Sequence, residues 1–217
     1  MRELGLTAAD LERLTGLYNG RFATLGHDVK TVGWGSSDSQ ALRFAVLCRG
    51  LDLAGRRVLD IGCGLGDFVP WAESVYGADF DYVGLDVSSD LVTAAAQRHG
   101  GARRVFLADT LGADSDLGWF DVVVLSGTLT FRTEDNLGTM RTLLALAYAR
   151  CRGAVCVNFM SSQADHRLEK NFHYVPAEVF AFARTLTPHV VLHHDYPLHE
   201  FTVQLFRHSN AQPVVSS

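Results

Sequence analysis

The sequence predicts an α/β protein: a doubly wound sheet of seven strands, mostly parallel, closed by a C-terminal antiparallel hairpin and preceded by two helices. Three observations carry this. Residues 58–68, Val-Leu-Asp-Ile-Gly-Cys-Gly-Leu-Gly-Asp-Phe, read as a strand entering a glycine-rich turn that opens a helix. Downstream, apolar strand segments alternate with amphipathic helical ones, the pattern of βα units. Finally, the last two strand segments, 190–195 and 200–207, are joined only by Tyr196-Pro197-Leu198-His199. A parallel crossover needs about a dozen residues or more, so this pair must be antiparallel.

In chain order, Thr7 and Asp10 suit a capping pair, and Leu11, Leu14, Leu17, Tyr18, Phe22 and Leu25 make one apolar face of a helix that Gly26 ends. A loop containing Gly33-Trp34-Gly35 follows. Ser37 and Gln40 read as a second capping box, opening a helix to about Leu51. After the glycine turn, a helix from about Asp67 stops at Gly77, with Pro70 tolerated in its first turn. Residues 80–87 form the second strand, Ser89–His99 a helix, Val105–Ala108 the third strand and Phe120–Leu125 the fourth. Thr133 reads as the cap of a longer helix whose stripe of Leu137, Met140, Leu144 and Ala147 belongs against the sheet. Gly153–Phe159 is the fifth strand. Pro176 starts a helix that Pro188 closes. The expected organisation is a helical extension over 1–55, a core over 56–208 and a tail over 209–217, with no second domain or repeat.

Composition narrows the function. The chain length suits one domain with a sizeable core, and no apolar run is long enough to span a membrane. The formal charge is −5 and no Lys/Arg-rich stripe occurs, which argues against a surface that tracks a nucleic-acid backbone. Cys48, Cys63, Cys151 and Cys156 lack paired spacing and read as buried, reduced thiols. With no signal-peptide core behind Met1, the expected compartment is the cytoplasm. His193 and His194 are consecutive on a strand and point to opposite faces, so a shared metal ion is not expected.

The chemistry concentrates at strand ends. The glycines at 62, 64 and 66 give G-x-G-x-G, not the G-x-G-x-x-G of dinucleotide binders, and Asp60 precedes them. A carboxylate there repels a pyrophosphate but attracts an ammonium group. Asp86 ends the second strand, where an acid reaches ribose hydroxyls. Asp109 and Thr110 follow the third strand, and Ser126-Gly127-Thr128 the fourth. This series of strand ends resembles the class I S-adenosylmethionine-dependent methyltransferases over residues 56–207.

The resemblance implies strand order 3-2-1-4-5-7-6 and S-adenosylmethionine as cofactor. It implies that Asp60 orders the methionine amine over Gly62, Gly64 and Gly66. Asp86 takes the ribose hydroxyls, Val87 gives adenine an apolar face, Asp109 with Thr110 meets its amino group, and Ser126 underlies the methionine moiety. Family members fold an N-terminal extension over the cofactor as a lid. Tyr18 and Trp34 are the aromatic candidates for it here, the alternative being a plain helical cover for the sheet edge.

The Asn/Asp-Pro-Pro-Tyr/Phe motif of amine methylation and the Pro-Cys pair of cytosine methylation are both absent. A small-molecule acceptor is therefore expected. A protein or RNA acceptor, or a binding protein without transferase activity, stands as the alternative, with a nicotinamide oxidoreductase more distant. The long segment 161–175 contains Asp165, His166, Phe172, His173 and Tyr174. From it, His173 and then His166 are the candidate general bases.

Overall fold

The computed structural model describes residues 6–112 and 115–209; the expected tail from 210 onward lies outside the described residues. The elements run α1 (Ala8–Leu25), α2 (Ser37–Leu47), β1 (Arg57–Ile61), α3 (Phe68–Tyr76), β2 (Asp81–Asp86), α4 (Ser89–His99) and β3 (Arg104–Ala108). They continue β4 (Phe120–Leu125), α5 (Asn136–Arg150), β5 (Cys151–Met160), α6 (Pro176–Leu186), β6 (His189–His193) and β7 (Glu200–Phe206).

The strands form one seven-stranded sheet in the order β3-β2-β1-β4-β5-β7-β6. Pairings from β3 through β5 are parallel, and β7 is antiparallel to both β5 and β6. The predicted fold class and hairpin are thus both present.

Alternation along the strands builds a core on each face. Leu59 and Ile61 of β1 face α5 and α6 with Val123, Val155, Met140, Leu144 and Val179. Val58 faces the other way, toward α2, α3 and α4 with Phe44, Phe68, Tyr82, Val92 and Val122. Asp60 lies on that second side too, since side chains two apart on a strand share a face. The order reverses at β1, whose neighbours are β2 on one side and β4 on the other. In open α/β sheets the crevice at the carboxyl end of such a switch point is where ligands bind. Four strand ends, those of β1, β2, β3 and β4, open onto it.

The helix boundaries carry three corrections. Thr7 and Asp10 form the expected capping box of α1. The cap of α2 is Ser36, however, whose hydroxyl accepts from the Ser39 amide. That frees Gln40 to donate to Asp67 at 3.2 Å. In addition, α2 ends at Leu47, short of Leu51. For α5 the cap is Asp135, which accepts from the Gly138 amide, and Thr133 lies outside the helix. Asp135, two positions nearer the first turn, takes the role in that case. All four cysteines are free and buried.

Candidate cofactor site

At the switch point a cavity opens above the carboxyl ends of the strands. Asp60, Gly62 and Gly64 line it from β1 and the glycine loop, and Asp86 and Val87 from β2. Asp109 and Thr110 reach it after β3, and Ser126, Gly127 and Thr128 after β4. Tyr18, Val32 and Trp34 close it from the N-terminal side.

Ten of the eleven sequence-derived cofactor residues therefore meet in one space; Gly66 does not. A Cβ on Gly66 would stand 2.8 Å from the Phe106 ring and 3.2 Å from His99, at a φ of +75°. Gly66 thus lets the loop pack against β3 and α4. It lies outside the residues that line the cavity.

Two carboxylates dominate the floor. Asp60 is 3% exposed; its Oδ2 accepts from the Tyr82 hydroxyl at 2.8 Å, while Oδ1 is buried without a partner. Burial raises its pKa to about 7, opposed by the Tyr82 hydrogen bond and assisted by the negative charges of Asp86 and Asp67. A buried carboxyl with a vacant acceptor is costly unless a cationic partner meets it. Asp86 is half-buried and accepts from the Gly64 and Ser88 amides, both at 2.9 Å. Burial raises its pKa as well, and those two amides with the Val87 amide pull the other way. The Gly64–Asp86 bond ties the glycine loop to the end of β2. Asp109 is exposed and accepts from the Thr110 amide at 2.7 Å.

Bare backbone completes the floor. At Gly62 (φ +78°) an added Cβ would lie 2.7 Å from Thr128 Oγ1, and at Gly127 (φ +72°) 2.2 Å from the Trp34 ring. Both positions need glycine for conformation and for room. Ser126 Oγ is a second buried polar atom without a partner on the cavity wall.

The N-terminal roof is held by side chains. Asp10 is buried, which favours its neutral form. Bonds from the Glu134 amide, Thr7 and Arg13 outweigh that and hold its pKa below the usual range. The Glu134 amide reaches Asp10 across 3.2 Å, so the start of α1 is fastened to the β4–α5 loop. On the other side, Asn19 meets the Ser88 hydroxyl at 2.6 Å, and Tyr18 and Phe22 pack on Leu65, Leu91 and Ala94.

A buried polar circuit fastens α2. Arg43 pairs with Glu200 through Nε at 2.7 Å and Nη2 at 2.5 Å. Asn158 donates to Glu200 at 2.6 Å and accepts from the Gly127 amide at 2.7 Å. Arg43 also stacks on Trp34, 3.9 Å from the ring centroid. The Trp34 ring edge rests on Gly127, so roof and floor meet there.

Sequence reading missed Arg43, Glu200, Val32 and Phe131. Glu200 sits beside histidines that suggested only a metal, and Arg43 lies on a helix with no motif to mark it. His193 is committed elsewhere, to Gln204 and Arg49 at 3.1 and 3.2 Å.

Neither candidate base lines the cavity. Phe172 and Tyr174 pack into the core with their rings 4.7 Å apart, and His173 between them is half-buried, its Nε2 enclosed without a partner. Burial, then the charges of Arg167 and Arg132, lower its pKa. His166 is exposed.

This fold and site define a Rossmann-like methyltransferase, and comparison with known proteins agrees. A family model described as a methyltransferase domain matches residues 58–149. Over 152 residues the chain is 30% identical to Rv1506c of Mycobacterium tuberculosis, a protein named as a methyltransferase, covering 66% of this chain and 89% of that one. It is also 30% identical over 162 residues to the rRNA N(6)-adenosine-methyltransferase metl-5 of Caenorhabditis elegans, covering 70% and 74%. Among solved structures, the 1,6-didemethyltoxoflavin-N1-methyltransferase of Burkholderia thailandensis superposes with a TM-score of 0.65 at 20% identity, covering 90% and 89%. That protein was crystallised with 1,6-didemethyltoxoflavin and S-adenosylhomocysteine bound.

The chain belongs to the class I S-adenosylmethionine-dependent methyltransferases. The residues present fit that family's cofactor. The partnerless Asp60 Oδ1 suits an ammonium, Asp86 keeps acceptor capacity at the end of β2, and bare backbone at Gly62 and Gly64 allows close approach.

Proposed function

We propose that the enzyme methylates a small molecule in the cytoplasm, on an O, N or C atom. One observation carries this reading: the cavity is roofed by the chain's own N-terminal segment, through Leu14, Tyr18, Val32 and Trp34. Such a roof suits an acceptor that is enclosed with the cofactor better than one presented from a large polymer. The net charge of −5 also disfavours a broad phosphate-tracking surface. Among the described residues no helix is long and apolar enough to cross a membrane.

S-adenosylmethionine supplies an activated methyl group on a sulfonium. The chain's residues bind, orient and exclude water. Asp60 meets the ammonium end of the cofactor, Asp86 its ribose hydroxyls, and Val87, Asp109 and Thr110 its adenine, with Ser126 beneath the methionine moiety. Residues 1–55 act as the lid. Trp34 already gives one face to Arg43, so any attraction to a sulfonium uses the remaining face or edge. No side-chain base is assigned: alignment suffices for an acceptor that is already nucleophilic.

The test is a turnover assay with labelled S-adenosylmethionine against desalted metabolite extract and against protein and RNA fractions. Label in the small-molecule fraction supports the reading. Label confined to RNA, the substrate in the name of the Caenorhabditis relative, overturns it.

A further inference from the structure

Next to the cofactor cavity lies a second concavity, and the ring of Phe131 borders both. Its lining includes Arg13, Arg21, Arg132 and Lys170, with Asp10 and Glu134 as the carboxylates. Asp10 is already engaged by Thr7, Arg13 and the Glu134 amide, and Arg13 is held between Asp10 and the Arg132 carbonyl. That leaves three cations against Glu134 in a chain whose overall charge is −5.

Arg21 is the unusual member. Its guanidinium lies over the rings of Tyr18 and Phe131, 5.9 and 5.6 Å from their centroids. Its Nη1 is buried with no hydrogen-bond partner, and no carboxylate pairs with it among the described residues. Thr133 Oγ1, in the same lining, is likewise buried and without a partner. Two donors held in place without acceptors, beside further cations, form a site for an anion. A guanidinium is suited to the planar, two-oxygen grip that carboxylate and phosphate offer.

We propose that this concavity binds an anionic group, carboxylate or phosphate, of the methyl acceptor, with Arg21 as the main contact and Arg132 and Lys170 at the rim. The acceptor then spans Phe131, its anionic end outside and its reacting atom within the cofactor cavity. This deepens the small-molecule reading and rests on it. The cations sit in one concavity and not along a stripe, which favours a single anionic group over a nucleic-acid backbone.

The experiment measures binding, so it stands separately from the turnover assay. Benzoate, phenyl phosphate and neutral benzamide are titrated by ligand-observed NMR into the full chain loaded with S-adenosylhomocysteine. At least one of the two anions is expected to bind tenfold or more tightly than benzamide. Arg21→Gln is expected to weaken the anion at least fivefold, and the exposed double variant Arg132→Gln/Lys170→Gln, which should fold as wild type, at least threefold. Benzamide is expected to be unaffected by either change. Benzamide binding as well as both anions would overturn the proposal, as would anion affinity unchanged in the double variant. Oligouridylate binding tighter than both anions, lost steeply with salt and weakened by the same substitutions, would assign the cations to RNA and also overturn it.

Discussion

The cavity has two walls built on different principles. The floor comes from strand ends whose positions are set by backbone ladders between β1, β2, β3 and β4. The roof comes from α1, α2 and the loop between them, fastened by the Asp10 clamp, the Asn19–Ser88 contact and the Arg43–Glu200 pair. A wall held by a parallel ladder opens only when the sheet opens, whereas a wall held by a few side chains can come away alone. The floor is therefore suited to fixing the cofactor, and the roof to admitting and enclosing it.

Breaking the roof at its strongest fastening gives the largest expected effect. Arg43→Met leaves Glu200, 2% exposed, without its cation and should cost about 3–5 kcal/mol in denaturant unfolding. Arg43→Met/Glu200→Leu should recover part of that loss, because the stranded charge is gone while Asn158 still loses its acceptor. No recovery in the double variant would mean that the guanidinium acts mainly through packing on Trp34.

The floor carries the next effect, through pH. Folding raises the Asp60 pKa to about 7 from an ordinary 3.8, so the folded, unliganded protein binds a proton there that the unfolded chain has released. That contribution to stability is full below about pH 4 and is lost as pH rises to about 7, in total about 4 kcal/mol on this shift. Asp60→Asn should flatten this part of the profile and make the unliganded protein the more stable one at pH 8. Cofactor affinity of the wild type should run oppositely, rising as pH rises toward 7 because an ammonium needs the ionised carboxylate. Parallel unfolding profiles for the two proteins from pH 4 to 8 would show that Asp60 does not carry a raised pKa.

A smaller effect should follow from loosening the roof at its hinge side. Thr7→Ala removes one half of the α1 capping box and should cost about 1 kcal/mol. If the roof retains the cofactor, its dissociation should also speed up in stopped-flow measurements. An unchanged off-rate would leave the N-terminal segment as a static cover. The smallest effect is expected at His173→Ala and His166→Ala, whose turnover should stay within about twofold of wild type because neither side chain lines the cavity. A loss of about a hundredfold in either would restore a general base to that segment.

The same contrast explains what the sequence made legible. The floor requires glycine where φ is positive or the backbone is crowded, as at Gly62 and Gly127, and it requires carboxylates at strand ends, as at Asp60 and Asp86. These demands are local, so they leave residue types at fixed spacing. Strand alternation and the short final connection likewise show the sheet and its antiparallel closure. The roof leaves no such trace. Arg43 and Glu200 are 157 positions apart, and nothing near either one signals the other. Gln40 reads as a cap residue but reaches Asp67, and the room that Gly66 leaves for Phe106 has no local signal either. His173 lies outside the cavity lining, in a segment whose aromatic neighbours Phe172 and Tyr174 pack into the core.

The central claim is that the strand-end floor holds S-adenosylmethionine through its carboxylates, and calorimetry of Asp86→Ala tests it most directly. Asp86 sits at the end of β2 with its loop amides already bonded, and its remaining acceptor capacity faces the cavity with the ribose as the assigned partner. Loss of a charged acceptor for two hydroxyls should weaken binding by about 1.5–3 kcal/mol, measured at a temperature where the variant remains folded. Affinity equal to wild type in a folded Asp86→Ala protein would contradict the account.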